Sequence, residues 1–250
     1  MFDKISIVIP THNNLRSLKD CLHSVIANSI RPYEIIVLDN ASADGTKEYL
    51  AGLPEVRYIR NRKNLFFTKA VNKGIAASGG KYIFCLNDDC VILRKDWQGF
   101  YLSCLKKNRK IGVAGPYWKN ISELPFGWIE PYAALYPAEV FRKIGPLPYY
   151  DDSFLLWWSD IYHAYKLMSR DYLLLPLARP LVDSFIRHCR TGESGETVLK
   201  FKPRLAKECF SWHGKKVMYR RLGIKDEDRL CGYYQGKIFQ KADFPDFFKK

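Results

Sequence analysis

Within its first ninety residues the chain switches three times between a short apolar run and a helically spaced one, and this alternation limits the fold more than any other feature. Ile5-Ser6-Ile7-Val8-Ile9-Pro10 reads as a buried strand. Leu15, Leu18, Leu22, Val25 and Ile26 then recur at helical spacing, with Asn or Thr from residues 11–14 available as the N-cap. Residues 34–38 read as a second strand, 46–53 as a short helix and 56–59 as a third strand. Residues 68–78 read as a helix stopped by Gly79-Gly80, and Tyr82-Ile83-Phe84-Cys85-Leu86 as a fourth strand. Such alternation with short turns builds βαβ units with right-handed crossovers, so the expected class is α/β with a mostly parallel sheet. Ligands of such sheets bind beyond the carboxyl ends of the strands. The polar clusters at residues 11–14, 39–44 and 87–89 all fall there.

The second half is less regular. Residues 96–107 read as an amphipathic helix, 112–116 as a strand or turn, 137–144 as a short helix and 155–169 as a longer one. Residues 196–250 carry 14 Lys and Arg against 7 Asp and Glu, half of the net charge of +14 in about a fifth of the chain. We expect residues 1–195 to form one domain and residues 196–250 a basic, mainly helical extension. A charge of this sign calls for an anionic partner. The seven cysteines include no Cys-x-x-Cys pair and read as reduced, mainly buried thiols of a cytoplasmic protein. No apolar run approaches the roughly 20 residues of a membrane span.

The ordered motifs resemble those of the family-2 glycosyltransferases with the GT-A fold, especially their rhamnosyltransferase-like branch. The opening Val8-Ile9-Pro10-Thr11-His12-Asn13 is similar to the family's first strand and loop. Val37-Leu38-Asp39-Asn40-Ala41-Ser42-Ala43-Asp44-Gly45-Thr46 resembles its "V-D-N-x-S-x-D-G-T" segment. Asn64, Phe67, Asn72 and Gly74 match its "N-x-G-F…N-x-G" stretch, with Phe66 where Gly is usual. Leu86-Asn87-Asp88-Asp89 resembles its metal-binding D-x-D region, with Asn87 for the first Asp. Ser159-Asp160, Lys166 and Tyr172 resemble its catalytic "E-D…R…G-Y" segment, with Ser159 for Glu. His188, Gly192 and Ser194 resemble a late "H…G-x-S" element.

The resemblance implies a metal-dependent, inverting transfer of a sugar from a nucleotide-sugar donor to an acceptor hydroxyl. It implies that Pro10, Thr11, Asn13, Asp39, Asn72 and Asp88 surround the donor, with Asp39 on the base or ribose. A departing diphosphate accumulates negative charge, which Mg²⁺ or Mn²⁺ relieves through oxygen ligands. Asp89 is the expected direct ligand, Asp88 a metal or sugar contact, and His188 a ligand of metal or diphosphate. Two adjacent carboxylates repel without a cation. Asp160 is the expected base for the acceptor hydroxyl; as an Asp early in a helix it also complements the helix dipole. Asp39 and Asp44 also suit turns and caps. Trp157 and Trp158 suit either a sugar platform or the core.

The expected acceptor is a glycan, a lipid-linked glycan or another anionic molecule, with a peripheral membrane contact through the basic C-terminal region as one reading of its charge. Three other readings stand beside this one. A nucleotidyltransferase would want a Gly-rich basic loop after the first strand, where this chain has Thr-His-Asn-Asn. A nucleic-acid-binding protein would use the charge alone, with affinity falling steeply in salt. A transferase glycosylating modified bases in DNA would combine the charge with the motifs. The oligomeric state is left open.

Overall fold

The computed structural model of the protein describes residues 3–118, 128–145, 150 and 159–189. The chain opens with β1 (Ile5–Thr11), α1 (Leu15–Asn28), β2 (Tyr33–Asp39), α2 (Thr46–Ala51), β3 (Val56–Arg60), α3 (Phe66–Ala77) and β4 (Tyr82–Leu86). β1 pairs in parallel with β2 on one edge and with β4 on the other, and β2 pairs in parallel with β3. All seven residues of β1 are buried. A parallel strand covered by helices on both faces needs apolar side chains in both directions, which is why β1 and β2 read as continuous apolar runs. β3, at the edge, shows only Val56 buried.

Alternation along β1 separates two cores. Val8 packs with Leu38 of β2 and with Ala70, Val71 and Ile75 of α3 on one face. Ile5, Ile7 and Ile9 pack with Leu18, Leu22 and Val25 of α1 on the other. Gly74 lets α3 lie close against the sheet: a Cβ there would stand 2.3 Å from Val8 Cγ1 and 2.7 Å from Leu38 Cδ2.

The chain continues with β5 (Cys90–Ile92), α4 (Trp97–Lys106), β6 (Ile111–Trp118), β7 (Trp128–Ile129), β8 (Ala133–Pro137), α5 (Ala138–Lys143), α6 (Ser159–Met168), β9 (Leu173–Leu177), α7 (Arg179–Asp183) and β10 (Ile186–His188). The main sheet runs β3-β2-β1-β4-β8-β6-β7, with β9 also paired to β6. β8 enters antiparallel between β4 and β6, while β9 is parallel to β6. A separate antiparallel pair, β5 with β10, sets Cys90 opposite His188. The expected α/β class with a mostly parallel sheet and flanking helices therefore holds, and the first four strands fall within a residue or two of their expected bounds.

β8 is absent from the sequence reading, because Ala-Ala-Leu-Tyr-Pro carries no β-branched residue and its Ala and Leu are good helix formers. The segment expected as one helix over 155–169 is described only as α6. Trp157, Trp158, the domain boundary at 195 and the basic extension 196–250 lie outside the described residues. No helix among the described residues is long and apolar enough to cross a membrane.

The capping of α1 corrects the sequence reading. Asn14 occupies the N-cap position without a side-chain hydrogen bond. Asp44, twenty-nine positions away, accepts the Leu15 amide at 2.8 Å through Oδ2. Its Oδ1 accepts the Thr46 hydroxyl at 2.6 Å and the Thr46 amide at 3.3 Å, so one carboxylate ties the starts of α1 and α2 together. Burial alone would raise the Asp44 carboxyl, but the hydrogen bonds from Thr46 and Leu15 outweigh it and hold it below its ordinary value.

Asp44→Ala should cost about 0.5–2 kcal/mol at neutral pH, the usual loss of a cap. Because the folded-state pKa is depressed, this stability is present above the unfolded value of about 3.9 and is lost as pH falls through the folded value. Denaturant unfolding of wild type and variant should give stabilities that differ at pH 7 and converge as the pH drops below about 4.

Candidate active site

The carboxyl ends of β1, β2 and β4 lie side by side, and three acidic residues mark them: Asp39 ends β2, and Asp88 and Asp89 follow β4. The β1 end contributes Thr11, whose hydroxyl donates to Asp88 Oδ2 at 2.6 Å. Pro10, buried, pairs with Leu38 in the ladder and lines the same end of the sheet. Burial pushes the Asp88 carboxyl up to about 7; the charge of Asp89 adds to this, and hydrogen bonds from Thr11 and Asn14 oppose it. A divalent cation beside the carboxylate would favour its charged form instead.

Asp89 is 3% exposed. Its Oδ1 lies 3.2 Å from His188 Nε2, within ion-pair distance, yet no hydrogen bond to that oxygen forms. Buried acceptors are almost always satisfied. A carboxylate oxygen and an imidazole nitrogen that approach without a hydrogen bond are placed as two ligands of one cation would be. The carboxylate oxygen suits Mn²⁺ or Mg²⁺, and the imidazole nitrogen suits Mn²⁺ better than the harder Mg²⁺. His188 arrives from ninety-nine positions away because β10 pairs with β5, and the Cys189 amide donates to the Asp89 carbonyl at 2.9 Å. Tyr132 fixes the ring, stacking on His188 with centroids 4.3 Å apart. Its carbonyl accepts the Asn87 amide at 3.0 Å, holding the turn that carries both aspartates.

Asp39 is fully buried. Oδ1 accepts the Ser42 amide at 2.8 Å, and Oδ2 accepts Arg60 Nη1 at 2.6 Å and the Tyr58 hydroxyl at 3.0 Å. Arg60 also donates to the Ser42 carbonyl at 2.9 Å. Burial raises the Tyr58 phenol, and Asp39 adds to that rise while Arg60 opposes it. Arg60 keeps about a third of its side chain exposed and so forms the outward face of this cluster.

Behind it, Asn40 Oδ1 accepts Asn61 Nδ2 at 2.9 Å, and Asn40 Nδ2 donates to the Phe66 carbonyl at 3.2 Å. These bonds hold Phe66 at φ 60°. Phe66, which stands where Gly is usual, therefore takes the left-handed conformation that Gly would adopt freely.

Asp160 stands in the first turn of α6 and accepts the Ile161 amide at 3.0 Å. It lies within electrostatic reach of a buried tyrosine pair: Tyr136 and Tyr150 join hydroxyls at 2.6 Å, and burial pushes both phenols well up, with the Asp160 charge adding. His163, one turn along α6, stacks on Tyr150 with centroids 4.2 Å apart.

Two residues expected around the donor are committed to the protein itself. Asn72 Nδ2 donates to the Tyr150 carbonyl at 2.8 Å, and its Oδ1 accepts the Tyr150 amide at 2.8 Å. Its amide grips backbone, so Asn72 positions the Tyr150 segment. Asn13 Oδ1 accepts the Ala43 amide at 2.7 Å and its own amide donates to Ser42 Oγ at 2.9 Å, joining the β1 and β2 loops. The sequence reading did not single out Tyr58, Arg60, Tyr132, Tyr136 or Tyr150. Only Arg60 carried a signal, as a charge closing the third strand.

Residues 6–174 match the model of Glycosyl transferase family 2. Over 129 residues the chain is 28% identical to an uncharacterized glycosyltransferase of Haemophilus influenzae, covering 50% of this chain and 40% of that protein. Over 126 residues it is 30% identical to the poly-beta-1,6-N-acetyl-D-glucosamine synthase of Staphylococcus epidermidis, covering 48% of this chain and 30% of that one. The matches thus span less than half the length of these relatives. In fold it is similar to the mannosyltransferase PcManGT of Pyrobaculum calidifontis in complex with GDP-Man and Mn²⁺, with TM-score 0.58 and 16% identity over 72% of this chain and 56% of that one. It is also similar to S. aureus TarS 1-349 in complex with UDP, with TM-score 0.52 and 15% identity over 67% and 54% of the two chains. The fold is GT-A.

Asn72→Ala should leave the buried Tyr150 amide and carbonyl unpaired and destabilise the protein by about 1–3 kcal/mol in denaturant unfolding. Its affinity for a nucleoside diphosphate, measured by calorimetry, should stay at the wild-type value; a large loss would return Asn72 to the donor site.

Proposed function

The chain belongs to Glycosyl transferase family 2, and on that premise we propose that it is a metal-dependent, inverting glycosyltransferase that moves a sugar from a nucleoside diphosphate donor to an acceptor hydroxyl. The observation that carries this reading is the buried, hydrogen-bond-free Asp89 Oδ1 facing His188 Nε2 at the carboxyl edge of the sheet. GDP-Man with Mn²⁺ in one structural neighbour and UDP in another support a donor and a cation of these classes. The motif order supports the rhamnosyltransferase-like branch.

In this reading Asp89 and His188 hold Mn²⁺ or Mg²⁺, which supplies Lewis-acid relief of the charge on the departing diphosphate. Asp88, anchored by Thr11, would face the donor from the same turn, where a bound cation would favour its ionised form. Pro10, Thr11 and the Asn13 loop wall the nucleotide side. Asp39 is the base or ribose contact only after Arg60 moves aside; with Arg60 in place, the guanidinium presents the donors at that wall. Asp160 takes the proton from the acceptor hydroxyl as its oxygen attacks the anomeric carbon, inverting the configuration. Asp160 stands in the first turn of α6, at the positive end of that helix. A glycan or lipid-linked acceptor of anionic character is supported by the net charge of +14.

Thermal unfolding with UDP, GDP, dTDP and CDP, each with and without Mn²⁺, tests the donor site. A ligand at a hundred times its Kd stabilises by about 2.7 kcal/mol, which raises Tm by roughly 5–10 °C at this size. One nucleotide should give that shift only with metal, and Asp89→Ala should lose it. No metal-dependent shift with any of the four would sink the proposal.

Asp160→Asn should keep that nucleotide-dependent shift while sugar transfer falls by about 10²–10⁴-fold. Transfer at the wild-type rate would remove Asp160 as the base.

A further inference from the structure

The loop after β4 places a third ligand-bearing side chain beside Asp89 and His188. One ligand atom from each of Asp89, Cys90 and His188 lies within 4.8 Å of the others. The register explains why: Cys90 and His188 are direct partners across the antiparallel β5–β10 ladder, and directly opposed residues project to the same face. Cys90 is fully buried, and its thiol donates to the Tyr132 carbonyl at 3.5 Å. The same residue, Tyr132, stacks on the His188 ring. A single side chain thus steadies two of the three groups, and the third, Asp89 Oδ1, is a buried acceptor with no hydrogen bond.

We propose that this is a thiophilic metal site, in which Zn²⁺ is held by Asp89 Oδ1, Cys90 Sγ and His188 Nε2 and excludes the harder cation that transfer requires. Carboxylate, thiolate and imidazole form an ordinary zinc donor set. Mg²⁺ and Mn²⁺ prefer oxygen and have little use for sulfur, whereas Zn²⁺ gains a strong ligand from it. Zinc–ligand bonds of about 2.0–2.3 Å in tetrahedral array put ligand atoms roughly 3.3–3.7 Å apart; Asp89 Oδ1 and His188 Nε2, 3.2 Å apart, already stand at about that spacing, and Cys90 Sγ, within 4.8 Å of both, has at most about an ångström to close. The Cys90 proton leaves to solvent as the thiolate forms, the hydrogen bond to Tyr132 breaks, and no electrons are exchanged. Zn²⁺ then acts as an inhibitor competitive with Mn²⁺. The inference rests on the reading of Asp89 and His188 as metal ligands and adds Cys90 to them.

Co²⁺ is the probe, because a cysteine ligand gives it a thiolate-to-metal charge-transfer band that oxygen and nitrogen ligands do not. The wild-type chain titrated with Co²⁺ should develop that band. Cys90→Ser and Cys90→Ala should both lack it, while Cys21→Ser and Cys189→Ser should keep it. Competition with a zinc chelator should show Zn²⁺ bound at least about tenfold more weakly by Cys90→Ser, the lower end of what losing even a partner outside the ligand set costs. Mn²⁺ binding is followed in parallel by its electron paramagnetic resonance signal. Mn²⁺ binding with no thiolate band for Co²⁺ would overturn the Cys90 site and leave the transferase metal reading standing. A band without Mn²⁺ binding would keep Cys90 as a ligand but overturn both the competition with the harder cation and the transferase metal reading. A band that survives Cys90→Ser and vanishes in Cys21→Ser or Cys189→Ser would also overturn the proposal, and absence of both signals would remove both readings.

Discussion

The parallel pairing of β1 with β2 on one edge and β4 on the other is the contact on which the rest of the protein depends. It brings Thr11, Asp39 and the Asp88-Asp89 turn to one edge of one sheet, although they are spread over nearly eighty positions of chain. Its strands are covered on both faces, by α3 on one and α1 on the other, so the sheet is held firmly where the site needs rigidity. Burial also makes the electrostatics at that edge strong: carboxylates cannot rely on water there, and each must find a partner.

Those partners divide the site into two kinds of chemistry. At the β2 end Asp39 is satisfied three times over, by Arg60, Tyr58 and the Ser42 amide, and behaves as a closed structural cluster with a cationic outer face. At the β4 end satisfaction is incomplete. Asp88 receives the Thr11 hydroxyl, while Asp89 Oδ1 lies 3.2 Å from His188 Nε2 without a hydrogen bond. Incomplete satisfaction at a buried carboxylate is the pattern expected where a cation belongs. The cost of the arrangement is carried by surrounding packing, above all by Tyr132, which holds the turn with its carbonyl and the imidazole with its ring.

Several elements were legible because each is a local pattern. The continuous apolar runs of β1, β2 and β4 and the three-four spacing of α1 announce themselves within a few residues. Asp88 and Asp89 were legible as candidate site residues because they end such a run. Other features were opaque for equally definite reasons. The α1 cap is supplied by Asp44 across the fold, and capping rules look only at near neighbours. β8 is a five-residue strand whose identity comes from its slot between β4 and β6. Asn72 had the right chemistry for a ligand, yet its side-chain amide is closed at both ends on backbone that folding brings to it.

The sequence by itself determined the α/β class, the order of the first four strands and the identity of the acidic residues at their ends, because strand and helix periodicity and the punctuation of Gly and Pro act over short distances. Only the tertiary structure decided which polar groups are already satisfied. It closed Asp39 on Arg60, committed Asn72 to Tyr150, and left Asp89 facing His188 beside Cys90. The reason is physical: a hydrogen bond or a metal ligand set is a matter of ångströms between residues distant in the chain, and the β5–β10 ladder that brings His188 to Asp89 leaves no mark in the local pattern of either segment.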